Sequence, residues 1–262
     1  MFIKGFSPSK LNTFTECEQK YLYKYVHYLP EEYNGKMSTD ALQFGSYIHK
    51  VLEDGVEAKS EDELWEHAHR LRENYTFKDR PKDLEKCIKN FFKFNQNLSE
   101  TVSTEMKFHV DVLKDLEING IIDRVVIGET GKLLVIDYKT SKREKSKRDL
   151  YNDPQLMLYT AAISKLFEVK INDIIVAHYY PISGNLVTIR YLPSHIKSFL
   201  KKVDDKKWKI RKKKKTDFKP RINRFCDWCG YKELCPAYGG TNKMLEEALC
   251  ASKSRKTSSP GK

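Results

Sequence analysis

Two short apolar runs near the middle of the chain give the clearest structural signal. Residues 120–127 and 133–140 form two apolar runs rich in β-branched side chains, and a break containing Gly128 and Gly131 separates them. Such runs on either side of a short break predict a β-hairpin. Each run carries one carboxylate, Asp123 in the first and Asp137 in the second. Because an isolated buried charge is costly, the two aspartates predict a shared partner such as a divalent cation.

A lysine and a possible third carboxylate extend this pattern. Lys139 follows Asp137 by two residues, and side chains two apart on a strand share a face. Residues 104–110 alternate between apolar and polar and predict a strand that leads into the hairpin. Its Glu105 is a candidate third carboxylate or, with equal weight, a solvated strand residue. Two carboxylates and a lysine at one hairpin predict a hydrolytic centre.

Helical patterns dominate the first hundred residues. Ser7 and Pro8 predict a helix start, because serine is a favoured N-cap and proline suits the first helical position. This helix is expected to contain Cys17. A second helix is expected from Ser38 or Thr39 and carries His49, and residues 61–98 form a polar-rich helical insertion.

After the hairpin, the pattern predicts a helix and then two strands. Asp153 is the expected N-cap of the helix, on which Gln155 and Tyr159 lie one turn apart and share a face. The strands are expected at 174–180 and 186–191. A mixed α/β architecture follows from this order.

Charge adds a candidate ligand class. The chain has 262 residues and a net charge of +12. The segment from Lys201 to Arg224 contains 13 Lys or Arg and 3 Asp, so its net charge is +10. Such a patch predicts a polyanionic partner, although a solvated basic segment is the alternative. The candidate nucleic-acid contacts are Lys212, Lys213, Lys214 and Lys215.

Cysteines near the C-terminus predict a metal site. Two residues separate Cys226 from Cys229, and five separate Cys229 from Cys235. A Cys-x2-Cys pair with a third cysteine is a strong metal signal, and it indicates a reducing compartment rather than a disulfide framework. A four-ligand site needs one more thiol, for which the candidates are Cys17, Cys87 and Cys250. We find no secretory segment and no apolar run near the ~20 residues of a membrane span, so cytoplasmic localisation is predicted.

Taken in order, these motifs resemble the RecB-like branch of the PD-(D/E)xK nucleases. The matching segments are Gly120-Ile121-Ile122-Asp123-Arg124, Asp137-Tyr138-Lys139-Thr140 and Gln155-Leu156-Met157-Leu158-Tyr159, together with His49 on a helix. The opening Phe6-Ser7-Pro8-Ser9-Lys10-Leu11, followed by Cys17, is similar to the same branch. Its iron–sulfur members bind a [4Fe–4S] cluster through one early and three late cysteines. The resemblance spans residues 6–238 and implies the ligand set Cys17, Cys226, Cys229 and Cys235.

The resemblance implies an α/β, restriction-endonuclease-like fold with a central mixed sheet flanked by helices. A nuclease core over 1–200 would contain the helical insertion near 61–98. Residues 201–238 would form the basic tract and the C-terminal iron–sulfur module, closed by Cys17. Residues 239–262 would form a tail, disordered from about Ala251.

The implied activity is Mg²⁺- or Mn²⁺-dependent hydrolysis of DNA in recombination, repair or replication. A single-strand exonuclease with 5′→3′ preference is expected, acting on DNA with a free end and possible recombination or replication partners. The implied metal ligands are His49, Asp123, Asp137 and the Tyr138 carbonyl. Lys139 would position or deprotonate the water, and Gln155 and Tyr159 would support the site.

Three alternatives stay open at this point. Zinc is the competing occupant of the cysteine site, because four thiolates suit either metal. The second alternative is a non-catalytic DNA-binding or assembly factor, although such a protein has no need of charged side chains in apolar strands. A zinc-bearing RNA-binding protein would explain the cysteines and lysines but not the hairpin.

Overall fold

The computed structural model describes residues 5–31, 38–128 and 130–257. Its α-helices are α1 (Pro8–Glu16), α2 (Glu18–Tyr21), α3 (Ser38–Asp54), α4 (Glu61–Arg72), α5 (Pro81–Gln96), α6 (Lys147–Tyr151), α7 (Pro154–Leu166), α8 (Pro193–Lys212) and α9 (Asn242–Thr257). Its strands are β1 (Thr101–Leu113), β2 (Leu116–Ile127), β3 (Leu133–Tyr138), β4 (Ile174–Tyr180) and β5 (Asn185–Ile189).

These residues divide into two compact units. We call one the sheet unit, which contains the described residues of Lys4–Pro8 and Asp40–Asp205. The other is the cysteine unit, which contains those of Ser9–Thr39 and Lys206–Lys262. Each unit carries one of the two candidate sites that the sequence predicts.

A five-stranded mixed sheet forms the centre of the sheet unit, in the order β1-β2-β3-β4-β5. Strands β3 and β4 run parallel, whereas the other neighbours are antiparallel. A parallel pair needs a long crossover connection, which the segment carrying α6 and α7 supplies. The predicted hairpin is confirmed as β2–β3, and so is the central mixed sheet flanked by helices.

Helices cover both faces of this sheet. On one face, Ile48 of α3 and Phe91 of α5 pack with Val126 and Tyr138 of the strands. The insertion at 61–98 is confirmed as helical, and its helices α4 and α5 complete this core. Alternate strand positions point to opposite faces, and in the central strands β3 and β4 residues on both faces are buried.

Helix α7 packs against β1, β2 and β4. As predicted, Asp153 is its N-cap and accepts a hydrogen bond from the Gln155 N–H over 2.9 Å. All residues from Leu156 to Ile163 are buried, because the sheet unit surrounds this helix.

No helix in the described part of the chain is long and apolar enough to cross a membrane.

The cysteine unit contains a small apolar cluster. Tyr23, Leu29 and Tyr231 form its centre, and Leu245 and Leu249 of α9 pack against them. The hydroxyl of Tyr23 donates to the Leu234 carbonyl over 2.7 Å, and that of Tyr231 donates to the Leu29 carbonyl over 2.8 Å. Phenol hydrogen bonds to main-chain oxygens therefore tie together segments that are distant in sequence.

Two sequence expectations change in this unit. Cys17, expected inside the first helix, lies between α1 and α2 with an extended backbone, φ −159° and ψ 114°. Because an extended residue cannot continue a helix, α1 ends before Cys17, and the Cys17 thiol does not lie on the surface of a helix. In addition, α9 continues to Thr257, through residues after Ala251 that were expected to be disordered. Residues 258–262 lie outside the described part of the chain.

Candidate active site and cysteine cluster

The β2–β3 hairpin places two carboxylates opposite each other. Arg124 pairs with Ile136, so the register puts Asp123 and Asp137 across from one another at the next position. Only 11% of the Asp123 side chain and 3% of the Asp137 side chain are exposed. The Asp123 Oδ2 atom accepts a hydrogen bond from the Tyr138 N–H over 2.6 Å. The main chain of one strand therefore orients the carboxylate of the other.

A chain of polar contacts runs from Asp137 to α7. The Lys139 Nζ lies 2.5 Å from Asp137 Oδ2 and donates to Gln155 Oε1 over 3.1 Å. The Gln155 Nε2 donates to the Tyr159 hydroxyl over 2.8 Å, and that hydroxyl donates to the Ile121 carbonyl over 2.6 Å. The structure thus brings Lys139, Gln155 and Tyr159 together, and α7 fixes the position of the lysine.

His49 and Glu105 complete a group of ligand atoms around Asp123. The His49 Nδ1 lies 3.5 Å from Asp123 Oδ2. One ligand atom each of His49, Glu105 and Asp123 lies within 4.8 Å of the others, and no other trio of His, Cys, Asp or Glu among the described residues meets this distance. An imidazole and two carboxylates are suitable donors for Mn²⁺ or Mg²⁺.

Glu105 is the site residue that the sequence left undecided. Thr104 pairs with Arg124 and Met106 with Ile122, so Glu105 stands opposite Asp123. Its φ is +44°, in the left-handed region. A non-glycine residue held there costs about 1–3 kcal/mol and is typically found at functional sites. The only sequence signal was a carboxylate in an alternating stretch, because its position opposite Asp123 depends on how β1 pairs with β2.

The electrostatics of this group show excess negative charge. Burial raises the pKa of Asp137, the Lys139 ammonium opposes that shift, and the Asp123 charge adds to it. Burial would lower the pKa of Lys139, but the Asp137 carboxylate outweighs it, and the net shift is upward. Burial and the Asp123 charge raise the pKa of Glu105. Carboxylates that repel one another in a partly desolvated site fit a divalent cation.

All four predicted cluster cysteines line one cavity of the cysteine unit, Cys17, Cys226, Cys229 and Cys235. The Arg221 N–H donates to Cys17 Sγ over 3.5 Å, and the Asn223 N–H donates to Cys226 Sγ over 3.3 Å. Main-chain N–H groups aimed at sulfur stabilise a thiolate.

The other two cysteines do not line this cavity. Cys87 is buried in the core of the sheet unit, as expected of a structural thiol, and Cys250 is exposed on α9. Of the three candidates for the fourth ligand, Cys17 is therefore the one that joins the late cysteines at the cavity.

The predicted lysine contacts lie at the end of α8 and just after it. Lys212, Lys214 and Lys215 are exposed. Lys213 differs from them, because its Nζ lies 2.9 Å from Glu18 Oε2 within the cysteine unit. Three of the four lysines therefore present their charge to solvent, and the fourth is paired with an internal carboxylate.

Comparison with known proteins identifies the class. Residues 5–236 match the family model of the PD-(D/E)XK nuclease superfamily. This match covers most of the chain, so the chain belongs to that superfamily, as its motifs predict.

Relatives of known name are much longer proteins. The chain is 26% identical over 208 residues to an ATP-dependent helicase/deoxyribonuclease subunit of Streptococcus pyogenes serotype M3, with 71% of this chain and 19% of that protein covered. The protein of the same name from Streptococcus agalactiae serotype III is 27% identical over 219 residues, which cover 76% of this chain and 19% of the relative. The chain therefore spans about a fifth of the length of these relatives.

A solved structure supports the fold. A protein from Eubacterium rectale, described as an exonuclease candidate, superposes with a TM-score of 0.56 over 90% of this chain and 87% of its own. The two sequences are 15% identical. At this identity the likeness shows a shared architecture alone, consistent with a restriction-endonuclease-like fold.

Proposed function

We propose that this chain is a divalent-metal-dependent deoxyribonuclease that degrades single-stranded DNA from an end in the 5′→3′ direction. The observation that carries the proposal is the convergence of His49, Glu105 and Asp123 beside the Asp137–Lys139 pair. Membership of the superfamily supports nuclease chemistry, and the names of the relatives support a DNA substrate. Strandedness and direction rest on the resemblance to iron–sulfur exonucleases.

The metal-binding residues in this proposal are His49, Asp123, Asp137 and the Tyr138 carbonyl, with Glu105 added on its geometry. Oxygen donors suit Mg²⁺, and the imidazole supports Mn²⁺. When bound, the cation would lower the pKa of a water molecule and offset charge that develops on the phosphate.

Lys139 acts as a donor in this proposal. Its pKa is raised because Asp137 outweighs the effect of burial, so the amine is an ammonium with no lone pair. It would therefore orient the attacking water and contact the scissile phosphate, rather than remove a proton. Gln155 and Tyr159 limit the freedom of the lysine, since they link it to the Ile121 main chain.

The test is digestion of single-stranded DNA labelled at its 5′ or 3′ end, with Mn²⁺ or Mg²⁺. We expect wild-type protein to release the 5′ label first and Asp137→Ala to lose cleavage while it still binds DNA. Asp111→Ala is the matched control, because Asp111 is an exposed aspartate on β1. Cleavage by homogeneous Asp137→Ala protein would refute the site, and binding without cleavage by wild type would favour the non-catalytic role.

For the cysteine unit, we propose a structural [4Fe–4S] cluster bound by Cys17, Cys226, Cys229 and Cys235. Their shared cavity and the spacing of Cys226, Cys229 and Cys235 along the sequence support it. Anaerobically purified protein should show visible absorbance with about four irons per chain, and Cys250→Ser should retain both. A colourless protein with one zinc per chain would establish the alternative metal.

We propose that the exposed lysines of the tract, Lys212, Lys214 and Lys215, bind the DNA backbone. Lys213 would contribute less, because it is paired with Glu18.

The relatives are named as subunits of a helicase/deoxyribonuclease. That name supports action of this chain within a larger assembly, and we propose recombination or replication proteins as its partners. The clustered cysteines support a reducing, cytoplasmic setting.

A further inference from the structure

A buried histidine lies directly behind the candidate metal ligand Asp137. His178 on β4 pairs with Asp137 on β3 across the parallel strands, and its side chain is completely buried. The His178 Nε2 lies 3.6 Å from Asp137 Oδ2 and 3.9 Å from Asp153 Oδ2. The ring therefore stands between a candidate metal ligand and the N-cap of α7.

Neighbouring groups determine which ring nitrogen carries the proton. The Lys145 N–H donates to the Tyr180 hydroxyl oxygen over 2.9 Å, which leaves the phenol proton free to point towards His178 Nδ1, 3.4 Å away. With the opposite tautomer, the Nε2 lone pair would face two carboxylates and be repelled by both. The arrangement therefore favours the tautomer with a proton on Nε2 and a lone pair on Nδ1.

We propose that His178 is a positioning residue that directs its Nε2–H between Asp137 and Asp153 and so couples the metal ligand on β3 to the start of α7. Asp153 is itself anchored, because it accepts from the Gln155 N–H over 2.9 Å and from Lys145 Nζ over 2.6 Å. One ring therefore connects the metal-binding side of the site with the helix that holds Lys139 in place. This inference rests on the proposed role of Asp137 as a metal ligand.

The matched test pair is His178→Gln and His178→Met. The two replacements have similar length and volume, but only glutamine carries a terminal N–H₂ that can stand at the Nε2 position. Mutation of a group that supports a metal ligand from behind typically costs 10–100-fold in metal affinity or activity. We expect His178→Met to weaken Mn²⁺ binding, measured by calorimetry on the folded protein, by about 10-fold or more. His178→Gln should stay within about threefold of wild type, and kcat should fall in parallel for the methionine variant.

Two controls separate this role from a packing role. His109→Met tests loss of a histidine elsewhere in the sheet, because His109 is exposed on β1, and it should leave Mn²⁺ affinity unchanged. Tyr180→Phe removes the hydroxyl that sets the tautomer and should weaken Mn²⁺ binding by a few-fold. If His178→Met fails to fold, the Mn²⁺ affinity of Tyr180→Phe decides whether His178 positions Asp137.

The outcomes are distinguishable from failure of the proposed function. If wild type neither binds Mn²⁺ nor cleaves DNA, the proposed nuclease is wrong. If wild type does both, and His178→Met binds Mn²⁺ as tightly or His178→Gln loses as much as His178→Met, the positioning role is overturned. Unchanged Mn²⁺ affinity in folded Tyr180→Phe would equally contradict the proposed tautomer.

Discussion

The two units of this molecule hold their candidate sites in different ways. In the sheet unit, strand register and a chain of hydrogen bonds fix Asp123, Asp137 and Lys139 within a large apolar core. In the cysteine unit, the four thiols lie on short turns around one cavity, and the nearby apolar cluster is small. The sheet unit positions its site residues without a ligand, whereas the cysteine unit would depend on its bound metal cluster for its fold. Loss of a ligand should therefore cost function in one unit and structure in the other.

The largest effect is expected from Cys17→Ser. Because metal-site formation of this type is coupled to folding, loss of one thiolate should release the iron and expose the cysteine unit to proteolysis. Iron content, visible absorbance and limited digestion would measure this, and the sheet unit should remain resistant. Cys250→Ser is the control, since Cys250 does not line the cavity. A Cys17→Ser protein that keeps full iron and resistance would show that the cysteine unit folds without its cluster.

In the sheet unit, Glu105→Gln should separate function from stability. The substitution removes a charge from the proposed ligand group, so Mn²⁺ affinity should fall by about 10-fold or more, or at least 1.4 kcal/mol. The pKa of Glu105 is raised by burial and by Asp123, so the ionised carboxylate opposes folding above its usual pKa. The metal-free variant should therefore unfold at a slightly higher temperature than wild type at pH 7.

Asp111→Asn is the matched control for that experiment, because Asp111 lies on the same strand but is exposed. It should change neither the Mn²⁺ affinity nor the melting temperature. Unchanged Mn²⁺ affinity in Glu105→Gln would remove Glu105 from the ligand group and leave its left-handed backbone unexplained.

A smaller effect is expected at the lysines of the cysteine unit. Replacing the exposed Lys212, Lys214 and Lys215 with glutamine should make the slope of log affinity against log salt shallower by about 2 for single-stranded DNA. The control triple is Lys82, Lys86 and Lys89, which are exposed on α5. An equal change in both triples would indicate a general charge effect, and an unchanged slope in the first would exclude the tract as a backbone contact.

Local patterns explain how much of the active site was predictable. Asp123 and Asp137 are costly charges in apolar strands, Lys139 lies two residues on, and Gln155 and Tyr159 share a helical face. Each of these signals uses a spacing that the chain itself imposes. The strands were predicted from the same kind of periodicity, whereas the central mixed sheet was implied by the resemblance to the nuclease branch.

The residues that sequence reasoning missed depend on pairing between distant segments. Glu105 reaches Asp123 only through the β1–β2 register, and His178 reaches Asp137 only through the parallel β3–β4 pair. A single histidine in an apolar strand carries no signal of its own, because its neighbours across the sheet are not encoded nearby. Cys17 differs from these two residues, because the family resemblance implied it as a ligand, and its place at the cavity depends on distant segments meeting in the cysteine unit.

The smallest expected effect tests how far the cysteine unit depends on ordinary side-chain contacts. The Glu31 carboxylate lies 2.7 Å from the ammonium groups of Lys20 and Lys24. Burial would raise the pKa of Glu31, but these two lysines outweigh burial and lower it. A carboxylate with a lowered pKa stabilises the fold above its unfolded pKa, and the contribution is lost as the pH falls through the folded value. Glu31→Gln should therefore lower stability by about 1 kcal/mol at pH 7, measured by denaturant unfolding of cluster-containing protein. Glu16→Gln, at an exposed carboxylate of the same unit, should leave stability at pH 7 unchanged. A loss for Glu31→Gln as large as that for Cys17→Ser would mean that ion pairs, rather than the metal, hold this unit together.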